Sequence, residues 1–334
     1  MEVTKEQEIS QIQMNRPHLV ILGAGASYAA FPNGDKNGRK LPLMSNLIEL
    51  IGLENLIKSS GRKFATNNFE EIYSQLCDDD KYVNLRVELE NQIYKYFSGM
   101  ELPDNPTIYD YLILSMRKKD YIATFNWDPF LVQAHYRNRD IGELPTLLFL
   151  HGNVAISTCQ NGHPHANIRH GVCNRCGELI YPSKLMFPIK QKNYHLDPYI
   201  SKQWEILRSV MQNTFMVTIF GYGAPVSDIS AIDLMKSAWG SIDKRNMEEI
   251  EIIDVREEND LRKTWDKFIH THHYQIHTKF HDSWIGNHPR RTGEAYINQF
   301  IEAEFIENNP IPNNTDLNQC HEWIKKFVDV EKNK

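Results

Sequence analysis

No stretch of this chain is apolar for long enough to span a bilayer, and residues 1–16 are polar and of mixed charge, without the apolar core of a secretory signal. A membrane-spanning or exported protein is therefore not expected, and the cytoplasm is the expected compartment. Cysteine is scarce: five in 334 residues, an odd number, with only Cys173 and Cys176 close together. A disulfide framework is excluded on that count, and a reducing compartment fits. A basic surface is lacking too. The formal net charge is −6 and no Lys/Arg cluster stands out, so direct duplex nucleic-acid binding is not expected. What remains is an ordinary globular composition, 41% hydrophobic and 24% charged, with length for one large domain and its embellishments.

The chain is organised around residues 18–30, HLVILGAGASYAA. An aliphatic, β-branched run breaks at Gly23-Ala24-Gly25 and continues through Ala26 and Ser27 into small, helix-compatible residues, which predicts a strand, a tight turn and a helix start. Without Cβ atoms at Gly23 and Gly25, backbone N–H groups can come close to a diphosphate, so a bound nucleotide is the first expectation and a plain packing turn the alternative. Two parts of the dinucleotide fingerprint of dehydrogenases are missing. Tyr28 stands where a third small residue belongs, and no second strand ends in an acid about 20 residues on. Residues 31–35, Phe-Pro-Asn-Gly-Asp, instead form a turn-rich loop expected to bring Asp35 over the ligand.

Helical spacing of apolar residues predicts helices over 43–58 and 69–97, within a helical insertion over 60–106. Four later runs read as buried strands that end abruptly: 121–125 at Asn126, 147–150 at His151-Gly152, 216–220 at Gly221-Tyr222-Gly223, and 250–253 at Asp254. Ligands of open α/β sheets bind beyond the carboxyl ends of the strands, so these residues should converge. Asn126 is either a turn residue bonding its own backbone or a site residue. Asp128, followed by Pro129, reads as a helix N-cap with proline at the first helical position. His151 is either a satisfied core histidine or a general base.

Cys159, Cys173 and Cys176 share a segment with His163, His165 and His170, which offers three thiolates and a choice of imidazole for a structural tetrahedral zinc. The histidines at 270, 272, 273 and 277 lack a Cys or regular carboxylate partner and are read as surface residues.

Taken together, Gly23-Ala24-Gly25-Ala26-Ser27, Thr124-Phe125-Asn126-Trp127-Asp128, His151-Gly152 and the cysteine cluster directly after them resemble the sirtuin family, in order and in spacing. The resemblance implies an α/β fold: a Rossmann-like parallel sheet with a helical insertion and a small zinc-binding module. It covers roughly residues 19–255 and implies an NAD-binding catalytic domain (18–256) carrying the zinc module (157–182); an N-terminal arm (1–17) and a mainly helical C-terminal extension (257–334) are expected on either side of it. By the same resemblance Gly23 to Ser27, Asp35 and Phe125 contact NAD, Asn126 with Asp128 lies beside the nicotinamide ribose, and His151 is the general base. Gly221, Tyr222, Gly223, Asp254 and Val255 complete the NAD site, and Cys159 with His163 stands as a variant first half of the zinc site beside Cys173 and Cys176.

Protein-deacylating sirtuins follow the zinc module with a strand and a Phe-Gly-Glu type segment that pins the acyl-lysine peptide, whereas here the chain reads Met186-Phe187-Pro188-Ile189-Lys190. Gly221-Tyr222-Gly223 with Ser227-Asp228 is instead similar to the sirtuin-like domains of bacterial antiviral systems that hydrolyse NAD. The expected function is NAD hydrolysis by a latent effector, working as a homo-oligomer or with a separate sensor, ATPase or Argonaute-like subunit. A protein deacylase and a non-catalytic nucleotide-sensing subunit are the alternatives.

Overall fold

The computed structural model describes residues 2–166, 170–189, 193–225, 228–241, 245, 247–266, 268 and 273–333. A six-stranded sheet with every pairing parallel forms its centre. In chain order the strands are β1 (His18–Leu22), β2 (Tyr121–Thr124), β3 (Thr146–Phe149), β4 (Met216–Phe220), β5 (Glu249–Ile253) and β6 (Tyr274–His277). They lie side by side as β3-β2-β1-β4-β5-β6. This is the doubly wound order, two mononucleotide-type halves meeting where the chain reverses direction between β1 and β4. β1, β4 and β5 are buried at every position. Strands covered on both faces need apolar residues throughout, hence the unbroken runs HLVIL and MVTIF.

Three of the polar exceptions on these strands, His18, Thr218 and Glu251, are joined in one row. The Thr218 hydroxyl on β4 donates to Glu251 Oε2 on β5 (2.7 Å) and stands 2.8 Å from His18 Nε2 on β1, whose Nδ1 lies 3.0 Å from the Thr292 hydroxyl. Burial pushes the His18 imidazole down to about 4, so the ring is neutral and serves as a hydrogen-bonding spacer.

Helices cover the sheet, among them Ala24–Ala30, Ile108–Leu114, Phe130–Arg137, Pro198–Asn213 and Ile229–Trp239. The insertion after β1 is helical as expected, with Phe69–Cys77 and Val83–Ser98 as its main elements. Residues 43–58 make two short helices instead of one, Leu47–Ile51 and Glu54–Lys58, because Gly52 takes a left-handed conformation (φ 79°) and closes the first. The Cys/His segment is a small antiparallel module of strands Ile156–Thr158, Pro164–Ala166, Gly171–Val172 and Leu179–Pro182.

The sheet does not stop at residue 256. β6 pairs with β5 in register Ile250↔Tyr274 to Ile253↔His277, so the C-terminal part, most of whose elements are helices, also supplies the edge strand of the central sheet. Its sequence YQIH lacks an apolar run because the strand lies at the edge and is only half-buried. His277 belongs to this strand and His273 Nδ1 sits 2.9 Å from the Tyr296 hydroxyl, which corrects the surface reading for both; His270 and His272 lie outside the described residues. The N-terminal residues are not a free arm either. Glu2–Val3 pairs in parallel with Phe305–Ile306, and Glu8 meets His288 at 2.8 Å with both side chains wholly buried. No helix among the described residues is long and apolar enough to cross a membrane.

Candidate active site

At the reversal point the turns after β1 and β4 touch backbone to backbone. Gly23 N donates to Phe220 O (3.0 Å), Gly25 N to Gly221 O (2.9 Å) and Gly221 N to Ile253 O (2.9 Å). Gly221 has φ +59°, and a Cβ there would stand 2.2 Å from Ala26 N; a Cβ on Gly23 would stand 2.4 Å from Tyr222 Cα. The joint itself thus demands these glycines. Beyond it opens a cavity of about 500 Å³. Gly23, Ala24, Gly25, Ser27, Phe125, Asn126, Asp128, His151, Gly221, Tyr222, Gly223, Asp254 and Val255 all line it, so the strand ends do converge.

Ser27 is the hub of one wall. Its hydroxyl donates to Asp128 Oδ2 (2.7 Å), lies 2.6 Å from the Tyr109 hydroxyl and accepts from Asn126 Nδ2 (2.9 Å). A serine hydroxyl has one proton and two lone pairs, so Tyr109 must be a donor and every position of Ser27 is used. Asn126 Nδ2 also donates to Gly23 O (2.8 Å), tying the end of β2 to the turn after β1. Neither the turn nor the catalytic reading anticipated this cross-link. The expected cap is displaced by one residue: Pro129 is the N-cap of Phe130–Arg137, and Asp128, one position ahead of it, accepts from Phe130 N through Oδ1 at 3.3 Å. Burial pushes the Asp128 carboxyl up to about 6 and the buried Tyr109 phenol well above its usual range.

The opposite wall is aromatic. His151 closes β3, and Gly152 after it has φ +77°, where a Cβ would stand 2.0 Å from Lys184 O. This packing lets His151 O accept from Met186 N at 2.9 Å. Phe125 meets the imidazole edge-on at 4.8 Å, and Tyr222 stacks on Phe125 at 4.2 Å with the rings 5° from parallel. His151 Nε2 lies 3.4 Å from the Tyr194 hydroxyl and 3.7 Å from Asp228 Oδ1.

Two residues, Asp35 and Ala26, take other places than expected. Asp35 is buried but does not line the cavity: its carboxylate accepts from the backbone N–H groups of Asn37 (2.8 Å), Arg39 (2.8 Å) and Glu101 (3.2 Å), so it organises the loop from within. Ala26 packs beneath the turn, fully buried. The Asp254 carboxylate is held by Arg256, Nη2 at 2.8 Å and Nε at 3.1 Å. Sequence reasoning missed Tyr109, Tyr194 and Asn153, whose Nδ2 donates to Asp128 O at 2.6 Å. Only Tyr109 carried a signal, the capping box Thr107-x-x-Asp110 that starts its helix.

In the small module Cys159 Sγ and Cys176 Sγ are 3.5 Å apart, and His163 Nδ1 lies 3.5 Å from the sulfurs of both Cys159 and Cys173. All four ligand atoms fall within 4.8 Å of one another. With Zn–S of about 2.3 Å and Zn–N of about 2.0 Å, tetrahedral ligand atoms stand roughly 3.5–3.8 Å apart, so this Cys3His set fits a structural zinc, with His163 as the imidazole.

No family model and no curated protein matches the chain. Solved structures similar to it include Sir2 bound to acetylated peptide, with 14% identity and a TM-score of 0.36 over 86% of this chain and 93% of that one. A mutant Sir2 homologue in complex with ADP ribose gives 12% and 0.38 over 98% and 97%. A Sir2 homologue complexed with NAD gives 12% and 0.32 over 87% and 89%.

Proposed function

We propose that this protein cleaves the nicotinamide–ribose bond of NAD to give nicotinamide and ADP-ribose. The observation that carries the reading is the meeting of Asn126, Asp128 and His151 with the Gly23–Gly25 and Gly221–Gly223 turns around one cavity at the strand ends. In the cleavage, the C1′–N bond breaks and its electron pair passes to the pyridinium nitrogen, so nicotinamide leaves neutral without prior protonation. Water attacks C1′, and His151 accepts its proton. Asn126, held by Gly23 and Ser27 through Nδ2, orients the ribose with its side-chain carbonyl, while the aromatic wall excludes bulk water from the oxocarbenium-like centre.

Hydrolysis is favoured over protein deacylation by residues 186–189. They form no strand that an extended peptide could join. Phe187 is packed instead against Tyr73 (5.2 Å) and Trp127 (4.9 Å), under the helical insertion; Lys190 lies outside the described residues. Incubating the protein with NAD, with and without an acetylated peptide, tests the reading. Nicotinamide release independent of peptide is expected, and release only with peptide would make the protein a deacylase. NAD binding without turnover, persisting when the protein is assembled with its partner subunit, would leave the sensing subunit. From the motif resemblance we further infer a latent cytoplasmic effector of antiviral defence, held off as a homo-oligomer or by a sensor, ATPase or Argonaute-like subunit. Full constitutive turnover by a monomer would contradict that.

A further inference from the structure

We propose that Asp228 is the counter-charge that positions His151 and sets its basicity, a role that rests on the hydrolase reading above for its use in turnover. The two side chains are about 5% exposed and face each other across the same cavity, Nε2 to Oδ1 at 3.7 Å. That is an ion-pair distance, too long for a direct hydrogen bond, so the carboxylate acts on the ring mainly by charge. Its own orientation is fixed. The Tyr222 hydroxyl donates to Oδ2 at 2.9 Å, which turns Oδ1 toward the imidazole. Tyr222 cannot swing away, because its ring is stacked on Phe125.

The chemistry of the wall supplies the reason for such a pair. His151 is enclosed by the rings of Phe125 and Tyr194, and Trp204 packs against both of them. Desolvation of this kind opposes an imidazolium and would make the ring a poor proton acceptor. An anion within about 4–6 Å reverses that, typically by one or more pKa units. Among the described residues, titratable groups facing the imidazole include Asp228, ahead of helix Ile229–Trp239; Tyr222, after β4; and Tyr194, ahead of helix Pro198–Asn213; Asp254, after β5, lines the same cavity. Glu70 on the insertion, Asp128 and Arg256 stand further round the same cavity. Among them Asp228 is the carboxylate in ion-pair distance. When attacking water gives its proton to His151, the new positive charge is formed beside this carboxylate.

The test is an NMR titration of the His151 imidazole in the full chain, its resonance identified by its loss in His151→Gln. Asp228→Asn should lower the His151 pKa by about one unit or more, and Asp228→Glu should restore most of it. Tyr222→Phe, which frees the carboxylate, should give a smaller drop. If turnover is found, Asp228→Asn should also lower kcat/KM by roughly 10- to 100-fold, shift its acid limb to lower pH and change KM little. An unchanged His151 pKa in both Asp228→Asn and Tyr222→Phe would overturn the proposal. Because the titration needs no substrate, the shift together with nicotinamide release only in the presence of acetylated peptide would refute the hydrolase reading and leave the Asp228–His151 pair standing.

Discussion

Asn126 and His151 reach the cavity by different routes, and truncating them should have different consequences. Removing the Asn126 amide strips a donor from both Gly23 O and Ser27 Oγ. Asn126 is only part-buried, so water can replace it, and the loss should be about 1–2 kcal/mol of stability together with the loss of turnover. Asn126→Ala should therefore be an inactive protein with a visibly lower Tm. The His151 ring instead meets Tyr194 and Asp228, Nε2 lying 3.4 Å from the hydroxyl and 3.7 Å from Oδ1. His151→Gln should lower kcat by roughly 10²- to 10⁴-fold while NAD affinity, which the proposed function assigns to the glycine turns, stays close to that of the parent. Calorimetric NAD titration and kinetics on the two variants check this; full turnover in either would remove that residue from the catalytic assignment. Asn126 as a site residue was legible because it ends a strand. Its bond to Gly23 was not, because it joins positions 103 apart in the chain. The Ser27–Tyr109 contact is hidden for the same reason, since nothing local to either residue encodes the other.

At the scale of elements, β5 is the unusual strand, EIEII, with two buried carboxylates, Glu249 beside the apolar Met216 and Glu251 beside Thr218. Burial pushes Glu249 up to about 8 and Glu251 up to about 7. For Glu249 the folded pKa lies above the unfolded one, so the folded state binds the extra proton. Stability is then fully present below about pH 4.5 and is lost as pH rises toward 8, by roughly 1.4 kcal/mol per unit at most. Glu249→Gln should match the parent Tm near pH 4.5 and exceed it increasingly up to pH 8; a constant offset across that range would mean the carboxylate does not titrate there. The Cys/His module gives a second expectation: about one zinc per chain by elemental analysis, with Cys173→Ser losing the metal and exposing residues 157–182 to protease. A metal-free module that stays protease-resistant would end the zinc assignment. The strands most legible in the sequence, β1 and β4, are those buried on both faces, where the apolar run is unbroken. β6 was missed because an edge strand needs no such run, and the 43–58 helix was overextended because one left-handed Gly52 outweighs the apolar spacing around it.

Over the whole molecule, the chain ends are clamped to one another beside the sheet, and this has the least local signature of all. Arg291, fully buried, gives its Nη1 to Glu331 (2.6 Å) on the last helix, Leu317–Lys332, and its Nη2 to Ile9 O (2.8 Å) on the first, Lys5–Ser10. Arg290 meets Glu331 as well. Glu8 pairs with His288 at 2.8 Å and accepts from Asn309 at 3.1 Å. Glu8 and His288 lie 280 positions apart, so in sequence they read as an ordinary charged helix residue and an ordinary histidine. Their burial makes the contact expensive to break: removing one partner leaves the other's buried polar group without its hydrogen bond, which costs roughly 1–3 kcal/mol. The neighbouring Lys5–Glu307 pair joins the same two regions at 2.9 Å, but both side chains are largely exposed, and such a pair contributes about 0–1 kcal/mol. Glu8→Ala should therefore lower the Tm by several degrees and Glu307→Ala hardly at all, in the same thermal melt. Since the clamp lies away from the cavity, the Glu8→Ala protein should keep its NAD affinity at temperatures where it remains folded. Equal melting of the two variants would mean that the N-terminal segment is held by its backbone pairing with Phe305–Ile306 alone.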